Sequence, residues 1–328
     1  MRVAYGIDAQ ADDDPYIHLA EHTLHGLSKV STFGAYLVDI WPILKHIPGW
    51  VPGAGFKKEA AEFSKSLNTL LNTPYDELHR RMLEGETPDC AAPSLLETFG
   101  KGANTELVIK RTLAMMYIGG ADTTVSTLSS FFLAMTLYPE VQTKAQHELD
   151  AVLGGQRLPK FSDQASLPYV TAIMKESLRW KPVVSLNFPH RSTQDDVYRG
   201  YHIPEGSLVC SNDWAMMHDE SVYPNPSCFN PDRFMKDGGL SAEVEDPATI
   251  AFGFGRRICP GRFMAQDMLW IAIASTLATI TISKEVNATG EEVMPETRNL
   301  PGFLSHPRPF KCTIKPRPSS VALIEESS

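Results

Sequence analysis

The sequence predicts a mainly helical, single-domain protein with a few short β-sheets, and three observations carry that prediction. Apolar residues recur at helical spacing through long stretches of the first 180 residues. Prolines stand where helices should start or stop, and a Gly154-Gly155 pair where one should end. Beyond Trp180 the pattern breaks into short extended pieces punctuated by proline and glycine. With 328 residues, 43% of them hydrophobic and 21% charged, the chain has ample length for a core.

Taken in order, helical patterns cover Pro15 to Val30 and Lys57 to Glu84, joined by an apolar, proline-punctuated connection from Trp41 to Pro52. A long central helix runs from about Asn104 to Tyr138 and stops before Pro139; a shorter one reaches Gly154. The next helix lies between Pro168, suited to a first turn, and Trp180, with Pro182 as its stop. Extended pieces follow at Asp196 to His202 and Ser207 to Ser211, separated by Pro204-Glu205-Gly206. The apolar run Met268 to Ser283 reads as a buried helix, too short to span a bilayer comfortably. Pro309 to Lys315 alternates like a strand and would form a hairpin with Leu300 to Ser305. A catalytic domain over residues 1–316 and a polar tail over 317–328 complete the division.

Charge and cysteine usage narrow the class. A net charge of −9 argues against a nucleic-acid binder. Cys90, Cys210, Cys228, Cys259 and Cys312 are scattered and odd in number, which suits a reducing compartment rather than a disulfide framework. Neither a signal peptide nor a transmembrane helix is visible.

The most informative segment is Phe252-Gly-Phe-Gly-Arg-Arg-Ile-Cys-Pro-Gly261, a glycine-rich loop presenting Cys259 just before an apolar helical stretch. A cysteine thiolate is the ligand that pushes electron density onto haem iron and favours O–O cleavage. Gly255 and Gly261 would allow a tight turn whose backbone N–H groups approach the sulfur. Alone, Cys259 is equally compatible with a small buried hydrophobe. Elsewhere, Glu176 and Arg179 stand three apart on one predicted helix face, which by itself reads as a solvated ion pair. Gly119-Gly120-Ala121-Asp122-Thr123-Thr124 lies inside the long central helix. Two helix-interior glycines cost about 1 kcal/mol each relative to alanine, so a packing contact or a function should offset them.

Together these motifs resemble the cytochrome P450 family. Phe252, Gly255, Arg257, Cys259 and Gly261 fill the haem-binding pattern FxxGxRxCxG, and Pro231-Asp232-Arg233-Phe234 matches a second motif. The resemblance implies a mainly α, haem-thiolate fold with small β-sheets, haem b as cofactor and Cys259 as its iron ligand. It implies that Glu176, Arg179 and Arg233 form a buried structural triad. It also implies that Gly119 and Gly120 let the distal helix open over the haem, where Thr123 bonds the iron-bound oxygen and Asp122 brings protons. Arg257, with His190 or Arg191, is expected at a haem propionate; for His190 an ordinary surface histidine is the competing reading. Val183, Val184, Leu186, Phe303 and Leu304 fall where the family lines its substrate cavity, though core packing would explain them equally.

The implied reaction is a monooxygenation: one atom of dioxygen enters a lipophilic small molecule, with electrons from a separate NADPH-dependent flavoprotein reductase. Arg256 and Arg262 could belong to the basic patch where that reductase docks. The family's usual place is the cytosolic face of the endoplasmic reticulum membrane, reached here through the Trp41 to Pro52 roof or an anchor this sequence lacks. The family's early sheet and its Trp-x-x-x-Arg propionate clamp also have no counterpart, so the resemblance covers about the C-terminal two-thirds of the fold, an N-terminally truncated version. Two further readings stand beside this one. A haem-thiolate isomerase or dehydratase would need no reductase, and the Asp122-Thr123 pair argues against it; a truncated, inactive remnant would persist only as a partner-binding protein.

Overall fold

The computed structural model describes residues 1–318 apart from Ala11, Phe33 and Lys101. They fall into two compact units, divided between Thr123 and Thr124.

The first unit contains α1 (Arg2–Tyr5), α2 (Pro15–Val30), α3 (Leu37–Ile40), α4 (Gly55–Leu83), α5 (Ala91–Phe99) and the start of α6 (Ala103–Leu137). Asp14 caps α2: its carboxylate accepts from the Tyr16 and Ile17 N–H groups while Pro15 occupies the first turn, where a missing N–H costs nothing. The α2 and α4 helices pack on each other, with Leu24 and Leu70 buried and Thr23 Oγ1 2.6 Å from Ser66 Oγ.

The second unit adds α7 (Pro139–Leu153), α8 (Pro168–Trp180), α9 (Asp213–Met217), α10 (Ala248–Ala251) and α11 (Arg262–Thr279). Its core joins Phe131 and Met135 of α6, Ala145 and Leu149 of α7, Ile173 and Leu178 of α8, and Trp270 and Ile273 of α11. Fully burying each large apolar side chain contributes about 1.5–3 kcal/mol. The α8 helix is buried along nearly its whole length and tolerates this because its polar groups are bonded. Trp270 Nε1 donates to Thr171 Oγ1 at 3.1 Å, and the Glu148 carboxylate accepts the Tyr169 and Val170 N–H groups that open α8. Burial nevertheless pushes the Glu148 carboxyl above its ordinary range.

Among the described residues four small antiparallel sheets follow: β1 (His190–Arg191) with β4 (Leu208–Val209), β2 (Asp196–Tyr198) with β3 (Tyr201–Ile203), β5 (Met235–Lys236) with β6 (Gly239–Leu240), and β8 (Glu292–Val293), β7 (Ile280–Val286) and β9 (Cys312–Pro316) in the order β8-β7-β9. Four expectations are corrected here. Asp196 to His202 is a hairpin, because Arg199 and Gly200 both take left-handed φ values, 49° and 84°. The apolar run Met268 to Ser283 is helical only to Thr279; Ile280 starts β7, whose Ile282 exchanges two 2.8 Å hydrogen bonds with the Gln142 amide of α7. The β9 strand pairs with β7 rather than with residues 300–305; Asn299 and Pro307, on either side of that segment, form an isolated antiparallel bridge, and the Leu300 N–H donates to the His306 carbonyl at 2.8 Å. Arg317, expected in a loose tail, is bound to Asp150 at 2.6 Å; residues 319–328 lie outside the described residues. No helix among the described residues is long and apolar enough to cross a membrane.

Candidate functional site

The loop before α11 is shaped by its glycines. Gly253 and Gly255 have φ of 73° and 58°, which a residue with a Cβ rarely adopts. Between them and α11 the chain doubles back so that the Cys259 N–H donates to the Phe252 carbonyl at 2.8 Å. The Cys259 carbonyl in turn accepts from Arg262 Nη1 at 3.2 Å. Gly261 caps α11 at an ordinary φ of −84°, and a Cβ there would rest 3.8 Å from Cys259 Sγ, so the tight turn rests on Gly253 and Gly255 and not on Gly261.

This places a half-buried thiol three residues before Arg262, the first residue of an 18-residue helix. Phe254, Phe263, Met264 and Met268, all within nine residues of Cys259, are exposed. A sulfur ligand amid apolar surface fits a flat, apolar, iron-bearing group. Arg257, His190 and Arg191 are exposed, and their side chains make no hydrogen bond or ion pair among the described residues. Cationic donors of this kind suit the carboxylates of haem. The Arg191 guanidinium lies over the Gly206 turn, where an added Cβ would come within 3.2 Å of Nη2. The residues therefore fit haem, which Cys259 would ligate.

The structure brings Glu176, Arg179 and Arg233 together. Arg179 donates to both oxygens of Glu176, at 2.7 and 2.8 Å, and Arg233 Nε approaches the same carboxylate at 3.2 Å. The Glu176 and Arg179 side chains are 0% exposed and that of Arg233 5%, which rules out a solvated pair. Further bonds tie the group down: Arg179 donates to the Met217 and Pro226 carbonyls, Arg233 to Pro224, and the Asn230 N–H to Glu176 Oε1. Arg179 also stacks over Tyr223, its guanidinium carbon 5.5 Å from the ring centroid.

In the first unit, α6 runs unbroken through the glycine pair, and a Cβ built on Gly119 or Gly120 would meet nothing within 4 Å. Helix packing therefore does not account for these glycines. Thr123 Oγ1 donates to the Gly119 carbonyl at 2.8 Å, a back-bond that loosens the helix at this point. Asp122 and Thr123 are both half-buried.

Of the expected cavity residues, Val183 and Phe303 belong to adjoining segments, linked by a 2.7 Å hydrogen bond from the Ser305 N–H to the Val183 carbonyl. Val184 is half-buried and Leu186 exposed, whereas Leu304 is buried, as core packing requires. Sequence reasoning missed Phe188, whose ring packs edge-on against Phe303 with centroids 4.8 Å apart, and Asn187 and Asp213, which hold it. An asparagine ahead of an aromatic in a proline-bounded segment is the only signal that pointed there.

Comparison with known proteins matches these features. The cytochrome P450 family model covers residues 1–314. A cytochrome P450 monooxygenase of Armillaria gallica is 47% identical over 98% of this chain and 63% of its own length. Cytochrome P450 monooxygenase 208 of Postia placenta is 45% identical over 99% of this chain and 63% of its own. The tryptamine 4-monooxygenase of Psilocybe cyanescens is 40% identical over 98% and 64%. The chain thus spans about 63% of the length of the curated relatives it matches. With the cysteine loop, the buried triad and a match over nearly its whole sequence in agreement, the chain belongs to the cytochrome P450 family.

Proposed function

We propose that this chain carries the thiolate and oxygen-handling parts of a haem-dependent monooxygenase that hydroxylates a lipophilic small molecule. The observation that carries the reading is the Cys259 loop, closed by the bond from Cys259 N–H to Phe252 and set at the mouth of α11. Haem b ligated by Cys259 would supply dioxygen activation, one oxygen atom entering the substrate and the other leaving as water. The two electrons come from an NADPH-dependent flavoprotein reductase, and Arg256 and Arg262, flanking the thiolate, belong to the basic surface that meets it. Arg257, with His190 or Arg191, pairs with the haem carboxylates. Asp122 would bring in, and the Thr123 hydroxyl would pass on, the two protons that dioxygen cleavage consumes. Glu176, Arg179 and Arg233 keep the thiolate side rigid. The exposed Trp41, Ile43 and Trp50 of the roof connection meet the cytosolic face of the endoplasmic reticulum membrane.

The test is spectroscopic. Reduced, carbon-monoxide-bound protein should show the red-shifted Soret band of thiolate-ligated haem; Cys259→Ala should abolish it while Cys90→Ala, Cys210→Ala, Cys228→Ala and Cys312→Ala retain it. Loss of the band with any of those four in place of Cys259 would overturn the ligand assignment. Thr123→Ala should divert reducing equivalents to hydrogen peroxide. Unchanged product per electron, or full turnover without a reductase, would favour a peroxide-rearranging enzyme instead.

A further inference from the structure

The turn that follows α8 is held at more points than a short connection requires. The Val183 carbonyl accepts from the Ser305 N–H at 2.7 Å and the Ser185 carbonyl from the Trp214 N–H at 3.0 Å. The Asn187 N–H closes the turn on the Val184 carbonyl at 3.2 Å. Asn187 itself sits at φ 52°, in the left-handed region that asparagine tolerates better than other residues with a Cβ. Its side chain compensates: Oδ1 accepts the Phe188 N–H at 2.7 Å, and Nδ2 donates to Asp213 Oδ2 at 3.0 Å. Asp213 is only 2% exposed, and its other oxygen accepts from Ser211 Oγ at 2.7 Å. Burial pushes the Asp213 carboxyl above its ordinary range, a sign of how much its two hydrogen bonds must offset.

Two consequences follow from this anchoring. Leu186 and Phe188 are fixed in place yet left 58% and 60% exposed, and Phe188 meets Phe303 in an edge-type contact at 65° while most of its surface stays open. The Asn187 amide also lies against the cysteine loop, since a Cβ at Gly253 would be 3.5 Å from Nδ2. A rigid apolar surface binds better than a mobile one of equal area, because little side-chain freedom remains to be lost.

We infer that Asn187, held by Asp213, is a positioning residue that sets Phe188 against Phe303 as an aromatic wall for a flat, ring-containing apolar substrate, in fixed register with the cysteine loop. The wall rests on the geometry of this turn; that its ligand is oxidised rests on the monooxygenase reading. An open ring face stacks on a planar partner, which a flexible alkyl chain cannot reproduce.

The experiment is equilibrium dialysis of the full 328-residue chain against pyrene, with lauric acid as the flexible comparator. Pyrene should bind more tightly than lauric acid. Phe188→Ala and Asn187→Gly should each weaken pyrene binding by about tenfold. Asn187→Gly keeps the left-handed backbone while removing both side-chain hydrogen bonds. The double variant should be no worse than either single one, because both remove the same contact. Phe303→Leu, which leaves the turn intact, should show the same tenfold loss and covers the case in which Asn187→Gly fails to fold. Equal affinity for the two ligands, wild-type pyrene affinity in Asn187→Gly, or losses that multiply to about a hundredfold would each overturn the inference. The carbon-monoxide band is read separately: its absence in the wild type would sink the monooxygenase reading and leave the pyrene result standing.

Discussion

The buried triad and the cysteine loop use charge and hydrogen bonds in opposite ways. Around Glu176 each carboxylate oxygen and guanidinium nitrogen finds a protein partner away from water. In the loop the backbone is closed by two left-handed glycines, while Phe254, Phe263 and Arg257 face outward. A region whose polar atoms all find partners inside the protein can only support; a region that ends in a thiol, exposed rings and unpaired cations is built to receive something. The difference teaches where to look for stability and where for chemistry in this chain.

The largest expected effect tests the supporting half. Glu176→Gln would leave Arg179 and Arg233 buried beside an uncharged group, and breaking a buried pair in this way costs about 3–5 kcal/mol. Urea denaturation should show that loss with little change in slope, and haem content should fall with it. Cys259→Ala should lie at the other extreme, losing the thiolate band while stability changes by less than about 1 kcal/mol. A Cys259→Ala protein as destabilised as Glu176→Gln would erase the distinction between the two regions.

The loop's own glycines sharpen it further. Gly255→Ala should cost about 1–2 kcal/mol through its left-handed backbone alone, since the new methyl group would meet nothing within 4 Å. Gly261→Ala, at an ordinary φ and in normal contact with the sulfur, should be near neutral by the same denaturation assay. Equal losses would mean that the glycines serve the thiol and not the turn.

Much of this was legible in the sequence, and the reasons are local. Asp14-Pro15, Pro139, Gly154 and Pro168 mark helix ends through chemistry confined to a few residues, and those boundaries agree with the structure to within a residue or two. The cysteine loop and the Glu-x-x-Arg spacing were readable because their residue types are fixed by what they must bind. The end of α11 was not, because Ile280 and Ile282 continue the apolar pattern of the helix before them; pairing with β9 and the Gln142 amide of α7 make this segment a strand. The partner of β9 and the Asn187–Asp213 bond were hidden for the same reason, being contacts between segments 26 or more residues apart. The burial of Glu176 and Arg179 is likewise tertiary, set by carbonyls at Met217, Pro226 and Cys228.

The smallest expected effect isolates burial itself, because the described residues include another bidentate pair with similar distances. Arg157 donates to both oxygens of Asp163 at 2.6 and 2.8 Å, and the Lys160 N–H adds a third bond at 2.8 Å, but this pair stands near solvent. The hydrogen bonds from Arg157, and then that from Lys160, hold the Asp163 carboxyl down at about 2. A depressed carboxyl contributes stability that is present above its ordinary value near 3.8 and is lost as pH falls through about 2. The gap in urea midpoint between wild type and Asp163→Asn should therefore be small at pH 6, shrink as pH falls from about 4 to 2, and shrink also at 1 M salt, where screening is strong. The Glu176→Gln gap should hold in high salt, because water and ions do not reach that pair. If Asp163→Asn proved as costly as Glu176→Gln, geometry rather than burial would set the strength of these pairs, and the contrast between the two regions would need another cause.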